Sequence, residues 1–242
     1  MPNRSRPLYA VLIDADNIPA KFAQPILKEI TSLGEPALRR VYGDWSSGRL
    51  NNWSKTVRDL GLVAHQESAN TVGKNASDIG LVIDAMDILH TGRFDGFVLV
   101  SSDSDFTALA NRIREQGLDV IGIGERKAPE SLRNVCNRFI MIENIVDEPE
   151  TTAPAPGKPA QETPSTKQSP LDAVPLILRA MDKIEQDDEW YALGPLGQYI
   201  VADNPDFDTR TYGKRKLSDL VTELKRFETK RIGNQLHVRR AD

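Results

Sequence analysis

Two short apolar runs in the sequence end in carboxylates. Leu8 to Ile13 leads into Asp14, Asp16 and Asn17, and Phe97 to Val100 leads into Ser101-Ser102-Asp103-Ser104-Asp105. A third acid, Asp78, follows Lys74-Asn75-Ala76-Ser77 at the start of a helical pattern. If the two runs are strands of a parallel sheet, their acids stand at strand C-termini, the edge where open α/β sheets bind ligands. Carboxylates gathered in one cleft repel one another, and each resists ionising unless a cation neutralises the group. Hard oxygen ligands in that number select Mg²⁺ or Mn²⁺. Such an ion orients an attacking water, lowers its pKa and stabilises charge on a phosphodiester. A structural alternative stands beside this chemistry. Aspartates after strands also cap helices and organise turns, Asp105 for a helix starting at Phe106 and Asp14 or Asn17 for a turn. A phosphoaspartyl reading of Asp14-Ala15-Asp16 is set aside, because Ile18 stands where a threonine is expected.

Further residues have the chemistry to hold nucleic acid. The loop Gly43 to Trp53 mixes Trp45 and Trp53 with amides and Arg49, the materials for stacking on unpaired bases and gripping a backbone. Trp53, inside a helical pattern, is expected to pack in the core, whereas Trp45 is a candidate stacking group. Arg126 and Lys127, in a turn after a strand, are candidate phosphate contacts. Lys74 either holds a phosphate beside the acids or pairs with Asp78. Lys214, Arg215 and Lys216 open a helix near the C-terminus and suit a phosphate backbone. His90 ends a helix, where a cationic ring suits the dipole, and His65 and His237 have no partner in sequence. Cys136, the single cysteine, reads as a buried small hydrophobe.

The elements that position these groups alternate. Strands are predicted at Leu8 to Ile13, Ala37 to Tyr42, Leu62 to His65, Phe97 to Val100, Val120 to Ile123 and Phe139 to Ile142. Helices are predicted at Pro25 to Leu33, Leu50 to Leu60, Asn75 to His90, Phe106 to Gln116 and Pro129 to Val135. In the Asn75 helix, Ile79, Val82, Ile83, Met86 and Leu89 recur at spacings of three and four and define its apolar face. Strand–helix alternation of this kind gives the α/β class, a mostly parallel sheet with helices on both faces. Residues 148–169 read EPETTAPAPGKPAQETPSTKQS, with five prolines and no large apolar side chain, the composition of a flexible linker. After it come helices at Leu171 to Ile184, Leu196 to Ala202 and Lys216 to Phe227. A hairpin from Arg231 to Val238 turning at Gly233-Asn234 completes the outline of a small winged helix.

Composition bounds the rest. The 242 residues include 39% hydrophobic positions, enough to fill a core. A lone cysteine excludes an internal disulfide and a multi-cysteine zinc site, and the apolar run after the basic N-terminus is too short for a signal peptide or a membrane span. A soluble, cytoplasmic protein with no membrane partner is expected. The net charge of -4 conceals a split. From Thr209 to Asp242 ten Lys or Arg face four acids, a balance of +6, while Pro170 to Asp208 carries -7. A segregated basic end is how charge usually reports a polyanion partner.

The motifs Leu12-Ile13-Asp14-Ala15-Asp16-Asn17, Lys74-Asn75-Ala76-Ser77-Asp78-Ile79 and Val100-Ser101-Ser102-Asp103-Ser104-Asp105-Phe106 together resemble the NYN domain, the branch of PIN-like nucleases that includes LabA and DUF88 proteins. The resemblance implies a ribonuclease dependent on Mg²⁺ or Mn²⁺. Asp14, Asp78, Asp103 and Asp105 are then its catalytic, metal-binding acids, and Asn17 supports them. The family usually has glycine where Ser102 stands, so a side chain is added beside the acids. Trp190 to Gly197, Asn204 to Asp208 and Tyr212 to Leu220 resemble the OST-HTH, or LOTUS, domain, which is associated with RNA binding. The expected organisation is an NYN domain at residues 7–147, a linker at 148–169 and a winged helix at 170–242. The expected function is endonucleolytic hydrolysis of RNA, with self-association a further expectation from PIN-like domains. The alternatives are a non-catalytic RNA-binding adaptor, a phosphatase or a nuclease acting on DNA.

Overall fold

Leu8 to Ile13 is apolar at nearly every position, the pattern of a strand covered on both faces. In the computed structural model, which describes residues 6–66, 76–146, 167–186 and 188–241, this run is β1 (Leu8–Asp14), buried from Tyr9 onward. The chain continues through α1 (Ala23–Leu33), β2 (Glu35–Gly43), α2 (Asn51–Leu60), β3 (Val63–Gln66) and α3 (Ala76–His90). It then forms β4 (Gly96–Val100), α4 (Thr107–Glu115), β5 (Asp119–Gly124), α5 (Glu130–Val135), β6 (Arg138–Met141) and α6 (Ile142–Val146). The expected elements form within a few residues of their predicted bounds; only the short α6 was not anticipated.

The six strands make one parallel sheet in the order β3-β2-β1-β4-β5-β6. Side chains alternate across it. Ala10 and Leu12 of β1 join Leu81, Ala85 and Ile88 of α3, Leu109 and Ile113 of α4 and Leu132 of α5 in one core layer. Tyr9, Val11 and Ile13 join Ile26 and Ile30 of α1, Trp53 of α2 and Ile142 of α6 in the other. Truncating any of these buried leucines or isoleucines to alanine costs about 2–5 kcal/mol.

The apolar face of α3 differs from the expected one. Ile79 and Ile83 are 61% and 59% exposed, whereas Leu81, Ala85, Ile88 and Leu89 are buried and Val82 and Met86 are partly buried. The helix is apolar over most of its circumference, so its spacing admits more than one inward stripe. A polar clamp accompanies the stripe that forms: Asp84 accepts from the Arg40 guanidinium and the Tyr42 hydroxyl of β2. The His65 ring of β3 tilts against Tyr42 with centroids 5.1 Å apart. Burial pushes the Asp84 carboxyl up, but the bonds from Arg40 and Tyr42 outweigh it and hold its pKa below the ordinary range.

The chain divides into two compact units, Met1–Val146 and Asp147–Asp242. Residues 148–166 of the expected linker lie outside the described residues. Its last three residues pack with the second unit: Gln168 N–H donates to Thr211 O at 2.9 Å, and Ser169 forms a capping box with Asp172. That unit contains α7 (Val174–Lys183), β7 (Tyr191–Ala192), α8 (Leu193–Asp203), α9 (Leu217–Glu223), β8 (Phe227–Ile232) and β9 (Gln235–Arg240). Three helices and an antiparallel sheet ordered β7-β9-β8 form a winged helix around Ile177, Met181, Leu196, Ile200, Leu220 and Val238. The hairpin turns at Gly233-Asn234 as expected, with a positive φ of 59° at the glycine alone, the requirement at the first central position of a type II′ turn. The third helix is shorter than expected, because Phe227 already pairs with Arg240 in the sheet. Among the described residues, no helix is long and apolar enough to cross a membrane.

Candidate metal centre

The sheet order reverses between β1 and β4, whose crossover connections leave in opposite directions and open a crevice at the strands' C-terminal ends. Asp14 closes β1 there, and Ser101 follows β4 directly across from it. Asp14 is 3% exposed. One carboxylate oxygen accepts from the backbone N–H groups of Asp16 and Asn17, both at 3.1 Å, and the other from Ser101 Oγ at 2.9 Å. Burial pushes its pKa up to about 6; the charges of Asp78 and Asp16 add to this, and the bonds from Ser101 and Asn17 oppose it. Ser101 Oγ also accepts the Asp103 N–H at 3.1 Å, so one hydroxyl ties the ends of both strands together. Asp103 then caps the turn ahead of α4 by accepting from Asp105 N–H at 3.0 Å. The capping reading therefore holds for Asp103 in place of Asp105, and the turn reading holds for Asp14.

Asp78 projects from the first turn of α3. One oxygen from each of Asp78, Asp103 and Asp105 lies within 4.8 Å of the others. Burial and then the charges of Asp103, Asp105 and Asp16 raise the pKa of Asp78, so the group resists carrying its full negative charge. Three hard oxygen donors gathered this closely suit a hard divalent cation. Asp14 is not one of the three; its oxygens hold the loop that carries Asp103 and Asp105. Asp16 was not singled out as a site residue. Its signal was its place two residues beyond Asp14, and its charge reaches both Asp14 and Asp78.

The serine at position 102 has a structural use. Its backbone N–H donates to Asn17 Oδ1 at 3.0 Å and its Oγ accepts from Glu125 N–H at 2.8 Å, fastening the acidic loop to the end of β5. That junction admits no further atom: a Cβ on Gly124 would stand 2.6 Å from Ser101 O and 3.0 Å from Ser102 Oγ. Lys74 lies outside the described residues.

The residues expected to touch nucleic acid divide. Trp45 packs against the core and donates its indole N–H to His65 O at 2.8 Å, so it anchors the loop to β3. Trp53 is core as expected, 2% exposed and bonded to Ile18 O at 2.8 Å. Arg49 is exposed ahead of α2 and lines a pocket together with Asp16 and Asn17. Lys127 pairs with Glu125 at 2.5 Å, and Arg126 is half-buried, its N–H donating to Glu143 at 2.9 Å. Lys214 is held by Glu223, while Arg215 and Lys216 precede α9 exposed and with no acid partner among the described residues. Lys225, Arg226, Lys230 and Arg231 share that condition, and Lys230 Nζ stands 3.9 Å from the Trp190 ring centroid. Cys136 is buried, its thiol pushed up to about 12 by burial, and His90 closes α3 with Nδ1 2.6 Å from Met86 O.

The NYN domain family model matches residues 9–143, and the OST-HTH/LOTUS domain model matches residues 167–238. No curated protein matches the chain. Among solved structures, the chain is similar to a protein of unknown function from Vibrio parahaemolyticus, with 20% identity, 60% of this chain and 98% of that one covered, and a TM-score of 0.51. That likeness concerns the fold alone. An uncharacterized protein of Nitrosomonas europaea is 31% identical over 38% of this chain and 93% of its own, with a TM-score of 0.29.

Proposed function

From a chain that belongs to the NYN family of PIN-like nucleases and carries an OST-HTH/LOTUS domain, we propose a metal-dependent endoribonuclease whose winged helix holds the RNA. The observation that carries the reading is the meeting of Asp78, Asp103 and Asp105 at the sheet's switch point. Asp78, Asp103 and Asp105 would hold Mg²⁺ or Mn²⁺, which would supply Lewis-acid polarisation of the phosphodiester and lower the pKa of an attacking water. The chain's own residues do the positioning. Asp14 and Ser101 fix the loop bearing Asp103 and Asp105, and Asn17 fixes its middle through Ser102. The Arg40–Asp84–Tyr42 clamp fixes the helix bearing Asp78. The unpaired cations of the second unit supply sequence-independent attraction for phosphates, and covalent tethering raises the RNA concentration seen by the acidic crevice.

The purified chain with single-stranded RNA and Mn²⁺ is expected to cut internally, to stop in EDTA, and to fail as Asp103→Asn. Mn²⁺ at about 100 times its Kd should also stabilise the wild type by ~2.7 kcal/mol, an effect absent from the variant. Equal degradation by wild type and Asp103→Asn, or by neither, would refute the reading.

A further inference from the structure

Beside the acids the surface carries a groove of about 560 Å³, within the size range of small-ligand sites. Asp16 and Asn17, from the loop at the acidic crevice, form part of its lining. Lys21, Arg49 and Asn52 line it too, together with apolar side chains that include Leu50. We propose that this groove holds the nucleotide adjoining the scissile phosphate, and that Asn52 discriminates its base. The inference rests on the ribonuclease reading above and assigns the substrate contacts of that site.

Charge sets the direction of the strand. A phosphate is repelled by Asp16 unless a cation lies between them, so the phosphate at the acidic end is the one at the metal. The neighbouring phosphate falls to the Lys21 and Arg49 cations, a charge-assisted contact for which the arginine fork is suited. Between two phosphates lie a ribose and a base, and the apolar side chains offer the base a surface. The Thr56 hydroxyl, also in the groove, donates to Asn52 O at 3.0 Å, so its proton is committed. The Asn52 side-chain amide presents both donors and an acceptor, and it has no partner among the described residues. An amide of that kind can distinguish one base edge from another. Asn52 and Arg49 are both exposed, so their replacement leaves the core intact.

Two measurements on the full chain test this. In EDTA, each of the four ribonucleoside 5′-monophosphates is titrated against wild type, Asn52→Ala and Arg49→Ala. With Mn²⁺, cut sites in random-sequence single-stranded RNA are sequenced. The expected result is that monophosphates bind the wild type and weaken in both variants. The base beside the cut is biased in the wild type, the bias falls roughly tenfold in Asn52→Ala, and Arg49→Ala raises KM more than it lowers kcat. Equal monophosphate binding by all three proteins overturns the proposal, as does a base distribution that is flat in the wild type or unmoved by Asn52→Ala. Cleavage with such an unmoved distribution removes the groove and leaves the nuclease. Groove-dependent binding without cleavage removes the nuclease and leaves the groove.

Discussion

Replacing Asp14 by asparagine should make the metal-free protein more stable at neutral pH. The carboxylate is 3% exposed, and its pKa lies at about 6 against 3.8 in the unfolded chain. Between those values the folded state keeps a proton that the unfolded state has released, so stability falls as pH rises through the window and the loss is complete at neutral pH. The full shift corresponds to roughly 3 kcal/mol. Asp78, raised for the same reason, adds in the same direction. Asp84 is depressed, so its contribution is lost only below the window, as pH falls under 3.8. Asparagine removes the ionisation cost and keeps an acceptor for the Asp16 and Asn17 amides; exchanging charged for neutral hydrogen bonds returns about 1 kcal/mol. The net gain is ~2 kcal/mol, or about 5 °C in Tm. Urea unfolding in EDTA at about pH 7.5 and about pH 4.5 reads it directly. The wild type should gain ~2 kcal/mol at the lower pH, and Asp14→Asn should be the more stable protein at the higher pH and far less dependent on pH. A variant less stable than wild type at neutral pH, with wild-type stability flat between the two conditions, refutes the reasoning.

Asp84→Ala leaves Arg40 and Tyr42 without their shared acceptor at a site where the two charged side chains are 28% and 21% exposed. It should cost about 2–4 kcal/mol in denaturation and, by loosening the helix that carries Asp78, weaken the Mn²⁺-induced thermal shift. In the winged helix, Lys230→Ala with Arg231→Ala should lower the slope of log affinity against log salt by about two. Fluorescence anisotropy of labelled RNA over a salt series measures it.

The strands of the sheet were legible because runs such as Leu8 to Ile13 and Phe97 to Val100 are apolar on both faces and end abruptly in polar loops. That ending also exposed the acids, since a parallel sheet delivers its loops to one edge. The α3 face was not legible. Eight of its positions from Ile79 to Leu89 are apolar, and the partners of Asp84, Arg40 and Tyr42, stand more than forty residues earlier. The bond from Ser101 to Asp14 carries no local signal either, because it spans 87 residues. Trp45 and Lys214 have side chains suited to RNA, and only the fold reveals that His65 and Glu223 already occupy them.

The adjacency of β1 and β4 also governs when the acidic group comes into being. During synthesis β1 meets β2 on one side early, but its other side stays open until the chain through Val100 has been made, and the Ser101 bridge closes only then. A chain truncated before that strand lacks Asp103 and Asp105, and with them the acidic group.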